Sequence, residues 1–115
     1  MSLSLAGLTL HVADVDRSVE FYRKLPGATV MMHFQGTFAL LRFGNGRLGL
    51  LKDQKRPFHV ELECDDLDAT YAKFQELGIG TEGPPTVRAW GERDFLLTDP
   101  DGNLLECGQS RAPSH

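Results

Sequence analysis

The chain has 115 residues, 41% of them hydrophobic and 24% charged, which is the length and apolar content of one compact domain. Its formal net charge of −4 and pI near 5.5 argue against nucleic-acid binding, which requires a basic surface to neutralise phosphates. No apolar run reaches the ~20 residues that span a bilayer, and a basic leader is lacking at the start. The two cysteines have neither metal-type nor redox-type spacing. We therefore expect a cytoplasmic protein with reduced, buried cysteines and with no membrane or nucleic-acid partner.

The first half of the chain predicts one strand, one helix and three further strands. Residues 7–13 alternate between apolar side chains and polar or small ones, the pattern of a half-buried strand. Asp14 can cap a following helix, which should end at Pro26 and Gly27. Short Gly-containing turns separate the other three predicted strands, which lie at residues 28–33, 37–43 and 47–52.

The second half predicts the same order. A strand at 59–64 precedes a helix that Asp66 caps and that Gly78 ends. Further strands are predicted at residues 87–89, 93–98 and 103–107. The expected organisation is a single domain over residues 1–115, with modules at about 5–52 and 58–108 and a linker at 53–57.

The two halves align at an offset of 52 residues. This offset pairs Asp14 with Asp66, and it pairs Gly7 with His59. A repeat of this length is one supersecondary unit used twice. Because one βαβββ unit is too small to bury its own sheet, we predict an α+β fold in which two tandem modules pair.

Three segments make the chain similar to a known family: HVADVDRSVEFY at residues 11–22, WGER at 90–93 and DPDGNLLE at 99–106. With them the chain resembles the vicinal oxygen chelate superfamily, which groups glyoxalase I, bleomycin-resistance proteins and extradiol dioxygenases. The resemblance covers nearly the whole chain and implies a sheet curled into a half-open barrel around a cavity. It implies less about the reaction, because this superfamily contains both enzymes and pure binding proteins.

The resemblance also implies where a metal ion would bind. Metal-dependent members have one ligand at the start of the first strand and one in the last strand of each module. In this sequence the second module matches both positions, with His59 and Glu106. The first module has Gly7 at one position, and alignment of the last hairpins places Leu50 at the other. Two ligands alone would make a weak site, since catalytic metal sites generally use at least three protein ligands.

Two residues could supply the missing ligand. His11 lies on the same predicted strand face as Gly7, four residues along, and Glu61 neighbours His59 on its own face. Glu106 could instead pair with a basic neighbour such as Arg93, which would make it a structural carboxylate.

Two functions follow as expectations. The first is a metal-free binding protein of the bleomycin-resistance type, without a cofactor, that sequesters a small organic molecule with cationic or aromatic character. The alternative is a glyoxalase-like lyase or a dioxygenase with one divalent metal ion on His59 and Glu106. Acid–base chemistry by the clustered carboxylates is a weaker third option. The resemblance also implies a homodimer. The side chains expected to line the cavity are Thr9, His11, His59, Glu61, Glu63, Trp90, Arg93 and Glu106.

Overall fold

A computed structural model describes residues 3–89 and 91–109 of the chain. In chain order the elements are β1 (Ser4–Val12), α1 (Val15–Tyr22), β2 (Ala28–Phe34), β3 (Phe38–Phe43), β4 (Gly46–Lys52), β5 (Phe58–Cys64), α2 (Leu67–Glu76), β6 (Thr86–Val87), β7 (Arg93–Thr98) and β8 (Leu104–Gln109). This order is βαβββ twice over, so the predicted α+β fold with tandem modules is confirmed. Over these residues, no helix is both long enough and apolar enough to cross a membrane.

The chain divides into two compact units, one from Ala6 to His59 and one from Val60 onward together with the opening residues up to Leu5. In the first unit the strand order is β2-β3-β4-β1, with β1 parallel to β4 and the other neighbours antiparallel. In the second the order is β6-β7-β8-β5, with β5 parallel to β8 and the other neighbours antiparallel. The two units therefore share one topology, as the sequence repeat predicts.

Both helices begin where the aspartates predict. Asp14 and Asp66 have the same extended backbone, with φ of −142° and ψ of 101°. Each carboxylate accepts a hydrogen bond of 3.0 Å from the backbone N–H three residues later, which satisfies a donor that the first helical turn leaves open. The helices end at Tyr22 and Glu76, earlier than predicted, because turns complete the path to the following glycines.

Each helix packs on one face of the sheet in its own unit. The core of the first unit joins Val15 and Val19 of α1 to Leu41 and Leu50 of the strands, and the second joins Leu67, Phe74, Phe95 and both cysteines. The cysteines are buried and free, as predicted. Because strand side chains alternate, the polar positions of β1 and β5 face away from the helices. These positions are Thr9 and His11 on β1, and His59, Glu61 and Glu63 on β5.

Candidate functional site

Strand pairing brings two acidic side chains of β5 and β8 together. Glu61 lies directly opposite Glu106 in the parallel pair, and His59 lies two residues before Glu61, on the same face. One ligand atom from each of these three side chains lies within 4.8 Å of the other two. His59 and Glu61 lie on one continuous strand, and Glu106 lies on the strand that is hydrogen-bonded to it.

This group contains a candidate for the third ligand, which the sequence alone left open. Of the two candidates, Glu61 joins His59 and Glu106, and the group reaches the minimum of three protein ligands that catalytic metal sites use. One imidazole and two carboxylates are donors suited to ions such as Zn²⁺ and Mn²⁺. By donor type and proximity, these residues fit a divalent metal ion.

The strand register identifies the corresponding positions in the first module. Thr9 lies opposite Gly49, as Glu61 lies opposite Glu106, so Gly49 is the counterpart of Glu106. The predicted counterpart, Leu50, is therefore wrong by one residue; its side chain lies in the core beneath α1. Sequence alignment of the hairpins failed because the turn between β7 and β8 is longer than the turn between β3 and β4.

At both of these first-module positions, Gly7 and Gly49, neighbouring atoms lie very close to the backbone. A Cβ atom on Gly49 would lie 2.3 Å from Oγ1 of Thr9, and one on Gly7 would lie 2.2 Å from the backbone oxygen of Arg47. Neither position can hold a ligand side chain unless its neighbours move. Packing therefore closes these positions in the first module, and the candidate ligand atoms are those of the second module.

Glu106 lies in an environment that disfavours its charge. Burial, together with the charges and hydrogen bonds of Asp94 and Glu61, raises the pKa of Glu106 to about 10. Asp94 is itself buried, and it accepts hydrogen bonds of 2.8 and 2.9 Å from Nε of Arg88. Arg88 thus compensates the charge of Asp94. A cation bound at this group would reduce the electrostatic repulsion between Glu61 and Glu106.

Arg93 does not have the role that the sequence suggested for it. Its guanidinium donates hydrogen bonds of 2.8 and 3.3 Å to Asp68 of α2, in an exposed pair. Arg93 thus lies on the helix-facing side of β7, whereas the next residue, Asp94, faces Glu106. The interpretation of Glu106 as the ion-pair partner of Arg93 is wrong.

The imidazole ring of His11 contacts that of His59. Nε2 of His11 lies 2.8 Å from Nδ1 of His59, with the two rings edge to face. On its other side, Nδ1 of His11 lies 3.7 Å from Oδ2 of Asp53. Burial lowers the pKa of His11, although Asp53 opposes this, and the lowered pKa favours the neutral ring. His11 therefore acts on His59 and is not part of the three-residue group.

Thr9 is buried beside Gly49, and Glu63 follows Glu61 on the same face of β5. Trp90 lies outside the described residues. Sequence reasoning missed Asp94; the alternation of residues 93–98 could have found it, because it places Asp94 and Arg93 on opposite faces.

The structure also has an open hollow of about 400 Å³ beside α1. Its lining residues are Ala13, Asp14, Arg17, Ser18, Phe21 and Tyr22. None of them is a candidate ligand residue, and this hollow is separate in sequence from the three-residue group.

Comparison with known proteins agrees with this fold. The model of the family described as Glyoxalase/Bleomycin resistance protein/Dioxygenase superfamily matches residues 4–107. A probable lactoylglutathione lyase from Vibrio cholerae is 25% identical, over 89% of this chain and 87% of its own. A bleomycin resistance protein from Geobacillus stearothermophilus is 26% identical, over 87% of this chain and 92% of its own.

A solved structure extends the comparison. It is that of a methylmalonyl-CoA epimerase variant from Streptomyces coelicolor, in complex with 2-nitronate-propionyl-CoA. It superposes with a TM-score of 0.75 and is 25% identical, covering 96% of this chain and 100% of its own.

Proposed function

The chain belongs to the glyoxalase/bleomycin resistance protein/dioxygenase superfamily, and we propose that it binds a small organic molecule at a divalent metal ion held by His59, Glu61 and Glu106. The observation that carries this proposal is the proximity of three ligand atoms, all within 4.8 Å of one another. Charge supports it as well. A bound ion would displace the proton that Glu106 holds, and Glu61 and Glu106 would then provide two negative charges that balance one divalent cation.

The donor set favours a lyase or isomerase over a dioxygenase. Non-haem iron oxygenases use two histidines and one carboxylate, whereas this group has one histidine and two carboxylates. When bound, a divalent ion supplies Lewis-acid polarisation of substrate oxygens. Among the residues of the chain, His59, Glu61 and Glu106 would hold the ion, and Arg88 would balance the charge of the neighbouring Asp94.

A metal-free binding protein remains the second candidate, and one observation favours it. Glu106 is hydrogen-bonded to both Asp94 and Glu61, and its pKa is raised to about 10, so a proton can stabilise the cluster without an ion. Such a site would bind a cationic compound. The similarity to a bleomycin resistance protein is in line with this candidate.

Elemental analysis separates the two candidates. Protein purified without chelator should contain about one divalent metal ion per chain, as for a site with three protein ligands. The variant His59→Ala should lose it, and Glu63→Gln, which changes an acidic residue of the same strand face, should retain it. Metal-free wild-type protein that also fails to take up added Zn²⁺ or Mn²⁺ would contradict the proposal.

A thermal-shift screen then addresses the ligand. Cationic glycopeptides, catechols and thiol-conjugated aldehydes would each be tested with EDTA and with added metal. Compounds that stabilise the protein only with metal support the first candidate. Compounds that stabilise it equally in EDTA support metal-free sequestration.

We also propose that the protein is cytoplasmic and that it forms a homodimer. Two free, buried cysteines support a reducing compartment. The exposed apolar side chains on β2, among them Val30, Met31 and Phe34, support association with another chain.

A further inference from the structure

We propose that His11 is a positioning residue that fixes which ring nitrogen of His59 carries the proton. This inference rests on the proposed function, because it concerns the ligand His59. It starts from the contact of 2.8 Å between Nε2 of His11 and Nδ1 of His59. Two ring nitrogens at this distance form a hydrogen bond only if one carries a proton and the other presents a lone pair.

Asp53 decides between the two arrangements. Its Oδ2 lies 3.7 Å from Nδ1 of His11, whose side chain is 2% exposed. A carboxylate only accepts hydrogen bonds, so a proton on Nδ1 is attracted to Asp53, whereas a lone pair there would be repelled. A neutral imidazole has one proton. With that proton on Nδ1, Nε2 of His11 is the acceptor.

The consequence for His59 follows directly. If Nε2 of His11 accepts, then Nδ1 of His59 donates, and in the neutral ring Nε2 of His59 carries the lone pair. That nitrogen is then the ligand atom of His59, since Nδ1 is engaged by His11. Metal-binding histidines commonly donate the other ring N–H to a fixed acceptor, which sets tautomer and ring orientation. The order Asp53, His11, His59 supplies such an acceptor, with one imidazole between the carboxylate and the ligand.

The reverse arrangement would defeat ligation. A proton on Nε2 of His11 would be donated to Nδ1 of His59, and the neutral His59 ring would then carry its own proton on Nε2. Binding an ion there would require loss or transfer of that proton. His11 therefore matters to the site without touching the ion.

Nitrogen NMR on histidine-labelled, metal-free protein tests the assignment directly. Long-range proton–nitrogen correlations distinguish protonated from unprotonated ring nitrogens. In the wild-type chain at neutral pH, we expect His59 to be protonated at Nδ1 and His11 to be protonated at Nδ1. A His59 ring protonated at Nε2, with a bare Nδ1, would overturn the inference.

Variants of His11 test the effect on binding. His11→Phe keeps a ring but cannot accept a hydrogen bond, and we expect Zn²⁺ or Mn²⁺ affinity to fall about 10–100-fold. The side-chain oxygen of His11→Gln can accept from Nδ1 of His59, so this variant should stay within about threefold of wild type, a small loss on that scale. His33→Phe is the matched control, because His33 bonds to Asp16 instead. Equal loss in the Phe and Gln variants would contradict a role through hydrogen bonding.

The two measurements separate this inference from the proposed function. If His59 is protonated at Nδ1 and the wild-type chain binds no metal, the role of His11 stands and the metal proposal fails. If metal binds and His59 is protonated at Nε2 in the free protein, the metal proposal stands and the role of His11 fails. Because the NMR measurement uses the wild-type chain, a folding defect in a variant does not affect it.

Discussion

Glu106 illustrates how burial and like charges convert a carboxylate into a group that holds a proton. Its pKa in the folded protein is raised to about 10, against an ordinary value of 4.5. The folded state therefore binds a proton that the unfolded state releases between these values. The stabilising contribution of this group is full below about pH 4.5 and is lost as the pH rises toward about 10.

We predict that the free energy of unfolding of metal-free protein falls over this range, by at most about 1.4 kcal/mol per pH unit. The variant Glu106→Gln should show a flatter profile and should be more stable than wild type at mildly alkaline pH, by about 1–3 kcal/mol. Urea unfolding in EDTA at several pH values measures both effects. Glu63→Gln is the control, and identical slopes for Glu106→Gln and wild type would contradict the prediction.

Gly49 is a residue at which adding a side chain should lower the stability of the protein. A Cβ at this position would lie 2.3 Å from Oγ1 of Thr9, so Gly49→Ala should destabilise the protein by about 1–3 kcal/mol through overpacking. Gly80→Ala is the matched control, because a Cβ there meets no atom within 4 Å. Thermal unfolding compares them. The double variant Thr9→Ala with Gly49→Ala should recover part of the loss, and purely additive effects would exclude the clash as the cause.

At the residue scale, the sequence predicted the proposed metal-binding group only in part. The repeat identified His59, which aligns with Gly7 in the first module. The family pattern identified Glu106, because metal-dependent members have a ligand in the last strand of each module. Glu61 and His11 were both candidates for a third ligand, since Glu61 lies two residues from His59, and His11 lies four residues from Gly7, each on the same strand face. Side-chain direction decided between them, and it depends on packing across strands that a linear pattern does not contain.

At the scale of elements, the two helices give the clearest evidence that the modules share one design. Their aspartate caps have identical backbone angles and identical hydrogen-bond lengths. We predict that Asp66→Ala costs about 1 kcal/mol of stability, as does Asp14→Ala, because each leaves a first-turn N–H without its cap. Chemical denaturation measures the loss. Asp65→Ala, one residue before the second cap, should be near neutral, and an equal loss there would contradict a capping role.

Element order and most element bounds were predictable, since alternation, capping and turn residues are local signals. The counterpart of Glu106 in the first module was not. Its position depends on how β4 aligns with β1, and unequal hairpin turns shift that register relative to β8 and β5. A one-residue shift moves a side chain to the other face, which is why Leu50 is a core residue and Gly49 faces Thr9.

At the scale of the whole molecule, we predict association between chains. β2 lies at an end of the strand order and exposes Val30 at 38% and Met31 at 46%. An open edge with apolar side chains is a surface for pairing. Sedimentation at tens of micromolar should therefore give the mass of a dimer. Met31→Lys should shift the mass toward the monomer, and a monomeric wild-type chain would refute the prediction.

The most direct test of the proposed metal centre compares two glutamates of one strand. Glu61 belongs to the group of three candidate ligand residues, and Glu63 lies two residues further on the same face. Chelator-treated protein would be titrated with Mn²⁺, and the free ion would be followed by electron paramagnetic resonance. We expect wild type and Glu63→Gln each to bind about one ion per chain, and Glu61→Gln to bind at least about tenfold more weakly, since three protein ligands are the usual minimum. Equal binding by Glu61→Gln and wild type, or no binding by wild type, would contradict the proposed centre.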